Sequence, residues 1–254
     1  MSGGTGPAGR HRWVLDEPEI PFDLPVIYED ERLIVVDKPH FLATTPRGMW
    51  YRSTVLIRVR QAFGDPGIVP AHRLDRATAG ILVLVRDPSA RRAYQTLFQE
   101  RRVHKVYECL APARPLVRPR TGTVTGLDRP APFPLVRRSR IVKRRGVLQA
   151  YEETGEVNAE TLICLPGEDG RVNPGPGLRR YVLIPRNGKT HQLRVHMNSL
   201  GLPILGDDLY PQVKDRPYDD FSSPLQLVAR LLEFTDPYTG DRMRFLSRTP
   251  LEGG

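Results

Sequence analysis

HRLDRATAGILVLVRD, residues 72–87, joins a short charged loop to an unbroken apolar run. The run Ile81 to Val85 is rich in β-branched residues, the character of a strand buried on both faces. Asp75 therefore stands between Arg73 and Arg76 in a loop just ahead of a central strand. A lone aspartate there can be a turn former or a cap. To act as a catalyst it must be ionised, sheltered from water and not paired so tightly that it cannot react.

The pattern on either side gives the fold class. PVIYEDERLIVVDKP, residues 25–39, holds two β-rich runs split by Glu29-Asp30-Glu31-Arg32 and predicts a hairpin. STVLIRVRQAFG predicts a helix capped by Ser53 and ended by Gly64, with Val55, Leu56, Val59, Ala62 and Phe63 on one face. After the motif, Asp87 and Pro88 offer the N-cap and first position of a second helix, with Ala90, Ala93, Tyr94, Leu97 and Phe98 inward. VHKVYECL, residues 103–110, predicts a strand that projects Lys105, Tyr107 and Cys109 from one face. VLQAYEE, AETLICL and RRYVLIP predict further, mostly antiparallel strands, interrupted by the loop at residues 167–177. In THQLRVHMNSLG, Leu193, Met197 and Leu200 recur at helical spacing before Gly201, and Arg194 lies on a different side. LQLVARLLEFTDPYTGDRMRFL closes as a hairpin at DPYTG. The sum is an α+β fold, a mostly antiparallel, mixed central β-sheet flanked by a few helices and loops.

Composition bounds the function. The 254 residues, 39% hydrophobic and 26% charged, suit one sizeable globular domain, and 25 prolines with 22 glycines predict many loops. We expect residues 20–250 to form that domain behind a disordered tail at 1–12, with too few preceding residues for a separate N-terminal domain. No apolar run approaches the roughly 20 residues that span a bilayer, and no apolar signal segment opens the chain. A cytoplasmic, monomeric protein is expected, with Cys109 and Cys164 as reduced, buried thiols. Residues 111–150 hold ten basic side chains and one acid, an excess equal to the whole net charge of +9. Such a segment can attract a polyanion, nucleic acid first, although a solvated basic loop would read the same way.

Several chemistries fail on spacing. GKT at 188–190 lacks the first glycine of a phosphate loop, because Leu183 stands there. His191 and His196 lie five apart with no HExxH pattern, so no metal is expected, and no nucleophile elbow of the GxSxG kind exists. His72 and His196 read as structural hydrogen-bonders. Arg194 can aim at a cleft or lie on the surface.

These blocks together resemble the RluA family of RNA pseudouridine synthases. HRLDRATAG resembles its central signature, VIYEDERLIVVDKP its N-terminal block, and KVYECL its lysine-x-tyrosine strand. RNGKTHQLRVHMNSLGLPILGDDLY, residues 186–210, is similar to its longest motif, and LVARLLEFTDPYTG to its C-terminal block. Five blocks in order cover the chain from Val26 onward. The resemblance implies the pseudouridine synthase catalytic fold, RNA as partner and no cofactor. It implies Asp75 as the essential aspartate acting at the target uridine, with Tyr107 against the uracil ring to help remove the C5 proton. Arg194 would form the ion pair that positions the aspartate. Arg73, Arg76, Lys105, Lys189 and His191 would contact RNA, with Arg76 able to fill the space left by an extruded base. Ala79, Lys189 and the pair His40-Phe41 depart from the family's usual serine, arginine and glycine-containing turn. The loop-rich basic segment 112–177 matches poorly. The rival expectations are an RNA-binding or ribosome-assembly protein that keeps the fold without catalysis, and a hydrolase that uses Asp75 with His72.

Overall fold

Alternating burial places the chain on both sides of one sheet. The computed structural model describes residues 17–48, 50–128, 132–167 and 175–252. The expected tail at 1–12, and residues 168–174 of the expected loop, lie outside the described residues. The elements run β1 (Val26–Glu29), β2 (Leu33–Lys38), α1 (Val55–Phe63), β3 (Val69–Pro70), β4 (Ala79–Val85), α2 (Arg91–Gln99) and β5 (His104–Pro112). There follow β6 (Thr123–Thr125), β7 (Leu135–Val142), β8 (Tyr151–Glu153), β9 (Ala159–Cys164), β10 (Leu178–Pro185), α3 (Gln192–Ser199), β11 (Leu227–Thr235) and β12 (Arg242–Leu246). The sheet order is β1-β2-β4-β11-β5-β10-β9-β7-β6, with β3 beside β4, β12 beside β11 and β8 beside β7. Only β4 and β11 pair in parallel, so the sheet is mixed and mostly antiparallel, as the sequence implies. No helix among the described residues is long and apolar enough to cross a membrane.

β2 and β4 are adjacent, and every residue of both strands is buried. Successive side chains on a strand point to opposite faces. Ile34, Val36, Leu82 and Leu84 accordingly meet Val55, Leu56 and Val59 of α1 on one face. Leu33, Val35, Ile81, Val83 and Val85 meet Tyr94 and Leu97 of α2 on the other. Burying each large aliphatic side chain contributes roughly 1.5–3 kcal/mol, so the strand that follows Asp75 is the most firmly held part of the fold. Gly80 is required at the start of β4. Its φ is +111°, and a Cβ there would lie 2.3 Å from the Ala229 carbonyl oxygen on β11.

Four local expectations change. Thr54, not Ser53, caps α1 by accepting from Ile57 N at 3.4 Å, because Ser53 Oγ is drawn to the Pro18 carbonyl. Ala62 is exposed. Asp87 closes a turn on Ser89, so α2 begins three residues later than its cap-like sequence suggests. Cys164 is only half-buried.

The segment 112–177, expected to be basic and loop-rich, contributes β6 and β7 in addition to the expected strands β8 and β9. LVRRSRIV alternates buried and half-buried positions along β7, but its inward set includes Arg137 and Ser139, which hides the strand from a hydrophobic pattern. Its arginines are also paired. Arg138 meets Glu160 at 2.7 Å and Arg140 meets Glu153 at 2.9 Å, and each pair sits directly opposite across the sheet. Arg137, fully buried, bonds Glu152 at 2.6 Å and the carbonyls of Thr121 and Arg138 and the Ser199 hydroxyl. The acids that meet these three arginines lie after residue 150, outside the window whose charge was counted.

Candidate active site

The loop that carries Asp75 is tied down from below. Lys38, with no exposed surface, sends Nζ to the carbonyls of Pro39 (2.9 Å), Leu42 (2.7 Å) and Arg76 (3.2 Å). Burial pushes its pKa down to about 7, and the Asp75 carboxylate opposes that shift. His40 Nδ1 lies 2.8 Å from the Ala77 carbonyl, which fixes it as the donor nitrogen. Thr44 Oγ1 donates to Leu74 O and accepts from Leu74 N. The unusual His40-Phe41 pair is thus part of the strap, with Phe41 held at φ +65° where glycine would be at ease. His72 stacks on Phe98 at 4.3 Å, and its Nε2 accepts from the Val83 backbone N–H at 3.2 Å. That nitrogen is occupied by structure, which removes the basis for the hydrolase reading. Burial pushes its pKa down to about 3.

A cavity of about 1070 Å³ opens above this loop. Its lining includes Asp75, Tyr107 and Arg194, and also Arg73, Arg76, Lys105, Lys189 and His191. Residues from the loop before β4, from β5 and from the start of α3 thus converge on one opening. Asp75 is 35% exposed in its side chain and accepts no hydrogen bond among the described residues. The nearest histidine nitrogen is His191 Nε2, 4.0 Å from Oδ2, an ion pair only when the ring is protonated.

His191 caps α3 in the left-handed region, φ +55°. The Tyr210 hydroxyl donates to the Ala150 carbonyl at 2.6 Å, so its oxygen is left to accept from His191 Nδ1 at 3.1 Å. The hydrogen-bond network therefore assigns the proton to Nδ1 and turns Nε2 toward Asp75. Burial lowers the His191 pKa, Asp75 raises it, and Arg194 lowers it again.

Tyr107 is half-buried between two apolar clusters. Burial and then the charge of Asp75 raise its pKa, so the phenol keeps its proton at neutral pH. Lys105, two residues earlier on the same face of β5, has its pKa lowered by burial.

Arg194 departs from expectation. The direct ion pair with Asp75 is not formed among the described residues. Instead Nε meets Asp207 Oδ2 at 2.8 Å, and Nη2 meets Asp207 Oδ1 at 2.5 Å and Asp208 Oδ1 at 2.8 Å. Asp207 also accepts from the backbone N–H groups of Leu209 and Tyr210, which makes it a rigid anchor for a bidentate guanidinium. Burial opposes the arginine's charge, but the hydrogen bonds and field of Asp207, with Asp75 and Asp208, hold its pKa above the usual value. Sequence reasoning missed Asp207, although it stands in the quoted GDDLY; nothing local marks it as a partner of a residue thirteen positions earlier. It also missed Lys38 and Tyr210. The lining also includes Arg47, Trp50, Arg101 and Arg186.

The model of the RNA pseudouridylate synthase family matches residues 32–199. The dual-specificity RNA pseudouridine synthase RluA of Haemophilus influenzae is 32% identical over 229 residues, 89% of this chain and 93% of that protein. Its namesake in Escherichia coli K12 is 31% identical over 90% of this chain and 94% of its own length. Among solved structures, human RNA pseudouridylate synthase domain containing 1 superposes with a TM-score of 0.60 at 23% identity, over 92% of this chain and 87% of that one. That likeness supports the fold. The family match and the relatives together carry the assignment: the chain belongs to the RluA family of RNA pseudouridine synthases, isomerases that act on RNA.

Proposed function

We propose that this protein isomerises specific uridines of tRNA or rRNA to pseudouridine, with Asp75 as the essential catalytic group. The observation that carries the reading is the convergence of residues between 73 and 194 on one cavity around an unbonded Asp75 carboxylate. The isomerisation breaks the N1–C1′ bond, forms C5–C1′, removes the C5 proton and leaves a proton on N1. Atoms balance without a co-reactant. Asp75 acts at the target nucleoside while the glycosidic bond breaks, by addition to base or sugar. Tyr107 packs against the uracil ring and assists loss of the C5 proton; being protonated itself, it accepts that hydrogen only as its hydroxyl proton leaves. Arg194, clamped by Asp207, supplies a fixed positive field near the carboxylate and positions it without a direct bond.

A uridine in folded RNA must leave its stack to reach such a cavity, at a cost of a few kcal/mol that phosphate contacts offset. Arg73, Lys105 and Lys189 line the opening without an ion-pair partner among the described residues, and Arg76 and His191 complete the contact set. Residues 20–250 serve as one monomeric catalytic unit in the cytoplasm. RNA tritiated at uridine C5 should release tritium to water with the parent protein and not with Asp75→Asn. An equally active Asp75→Asn variant would remove Asp75 from the mechanism. RNA binding without any release would favour the non-catalytic binder.

A further inference from the structure

Loss of the C5 proton needs a base, and Tyr107 is held in its protonated form. Two histidines line the cavity among the described residues, His72 and His191. His72 spends Nε2 on the Val83 backbone N–H. His191 commits only Nδ1, to the Tyr210 hydroxyl, and turns Nε2 toward Asp75 Oδ2 at 4.0 Å, where it accepts no hydrogen bond among the described residues. Asp208, a second carboxylate in the lining, already accepts from Arg194 at 2.8 Å.

The ring is held in place for such a step. Its carbonyl accepts from Val195 N–H at 2.9 Å at the head of α3, and Tyr210, itself fixed on the Ala150 carbonyl, keeps the proton on Nδ1. When Nε2 gains a proton, Nδ1–H keeps its bond to Tyr210 and no other contact has to break. Burial, Arg194 and Lys143 disfavour the charged ring, whereas Asp75 and Asp207 favour it. Once C5–C1′ has formed, Asp75 is again a free carboxylate, and an opposite charge at that distance stabilises the imidazolium as it appears.

We propose that His191 Nε2 is the base that accepts the C5 proton of the rearranged uracil and passes it to water. The C5–H bond breaks and its electron pair re-forms the C5–C6 double bond. The former C6–N1 double-bond pair settles on N1, which takes a proton from water, so nothing is oxidised or reduced. This rests on the isomerase reading and on Asp75 marking the place of the target uridine. Tyr107, still carrying its own proton, orients the ring beside the histidine.

Glycine and asparagine both accept the φ of +55° at this position. His191→Gly leaves a ring-sized space, and His191→Asn fills it with an amide that is no base. With hairpin RNA at saturation, so that a lost RNA contact does not count, single-turnover release of tritium from uridine C5 should fall about a hundred-fold in both variants. Deuterium at C5 should then slow the variants more than it slows the parent. Added imidazole should raise release by His191→Gly about ten-fold, in step with the unprotonated fraction of the imidazole, and leave His191→Asn unchanged. Release at the parent rate in both variants overturns the assignment. So does a His191→Gly protein with the parent's urea midpoint that imidazole fails to rescue. Should His191→Gly not fold, slow release by His191→Asn with the parent's isotope effect is the overturning result. A parent protein that binds the RNA and releases no tritium overturns the isomerase reading itself, whereas parent release that survives both substitutions overturns His191 alone.

Discussion

The arginines of β7 and the cations of the cavity are the same residue types in opposite circumstances. On β7, Arg137, Arg138 and Arg140 each meet a glutamate at 2.6 to 2.9 Å. Around the cavity, Arg73, Arg76, Lys105 and Lys189 have no carboxylate within ion-pair distance among the described residues. Three of the ten positive charges in residues 111–150 are therefore taken by glutamates of the sheet, whereas the cavity cations keep theirs free to meet RNA. What decides is register: a glutamate directly across the strand takes the charge that a tally of the segment assigns to a ligand.

The largest test of this contrast is at the cavity's one fully paired arginine. Asp207→Asn leaves the Arg194 guanidinium buried beside a weaker partner and should cost about 3–5 kcal/mol, read as a lower midpoint in urea, together with most of the tritium release. A variant as stable as the parent would show that Asp208 alone suffices to hold Arg194. On the β7 side, Glu152→Gln should cost about 3 kcal/mol by stranding Arg137, yet leave the Kd for hairpin RNA at its parent value. A comparable loss of RNA affinity would mean that the β7 face does touch RNA.

A smaller effect is expected from acid. His72 and His196 both have pKa values pushed down to about 3, His72 by burial and then by Lys105, His196 by burial and then by Arg137. Each value lies below that of the unfolded chain, near 6.5, so in that interval the unfolded state binds a proton that the native state does not. Stability should fall as pH drops below about 6.5, by up to about 1.4 kcal/mol per pH unit for each histidine. NMR titration of the imidazole rings decides it: either ring protonating near its unperturbed value would break the prediction. The smallest effect is on salt dependence. Lys189→Ala or Arg73→Ala should reduce the slope of log K against log salt by about one. Arg138→Ala, whose charge is spent on Glu160, should leave the slope unchanged.

The fold was legible where pattern and burial agree. Alternation and β-branching locate β2, β4, β5 and the closing hairpin, and the buried β4 comes directly from ILVLV. β7 was not legible because its inward residues include Arg137 and Ser139, satisfied only by chain far away. Helix starts shifted where a neighbouring carbonyl or hydroxyl competed for the capping group. The eight candidate residues, scattered between positions 73 and 194, line one cavity. The pairing inside it was not legible, because Asp207 and Tyr210 act through distances that spacing along the chain does not encode.

The place of β11 between β4 and β5 has a consequence for synthesis. The strand that flanks both the Asp75 loop and the Tyr107 strand follows both of them far along the chain. A nascent chain grown only through α3 leaves the facing edges of β4 and β5 open, and closing them waits on a contact of long sequence separation. The cleft between the Asp75 loop and the Tyr107 strand is thus completed only once β11 has docked between them.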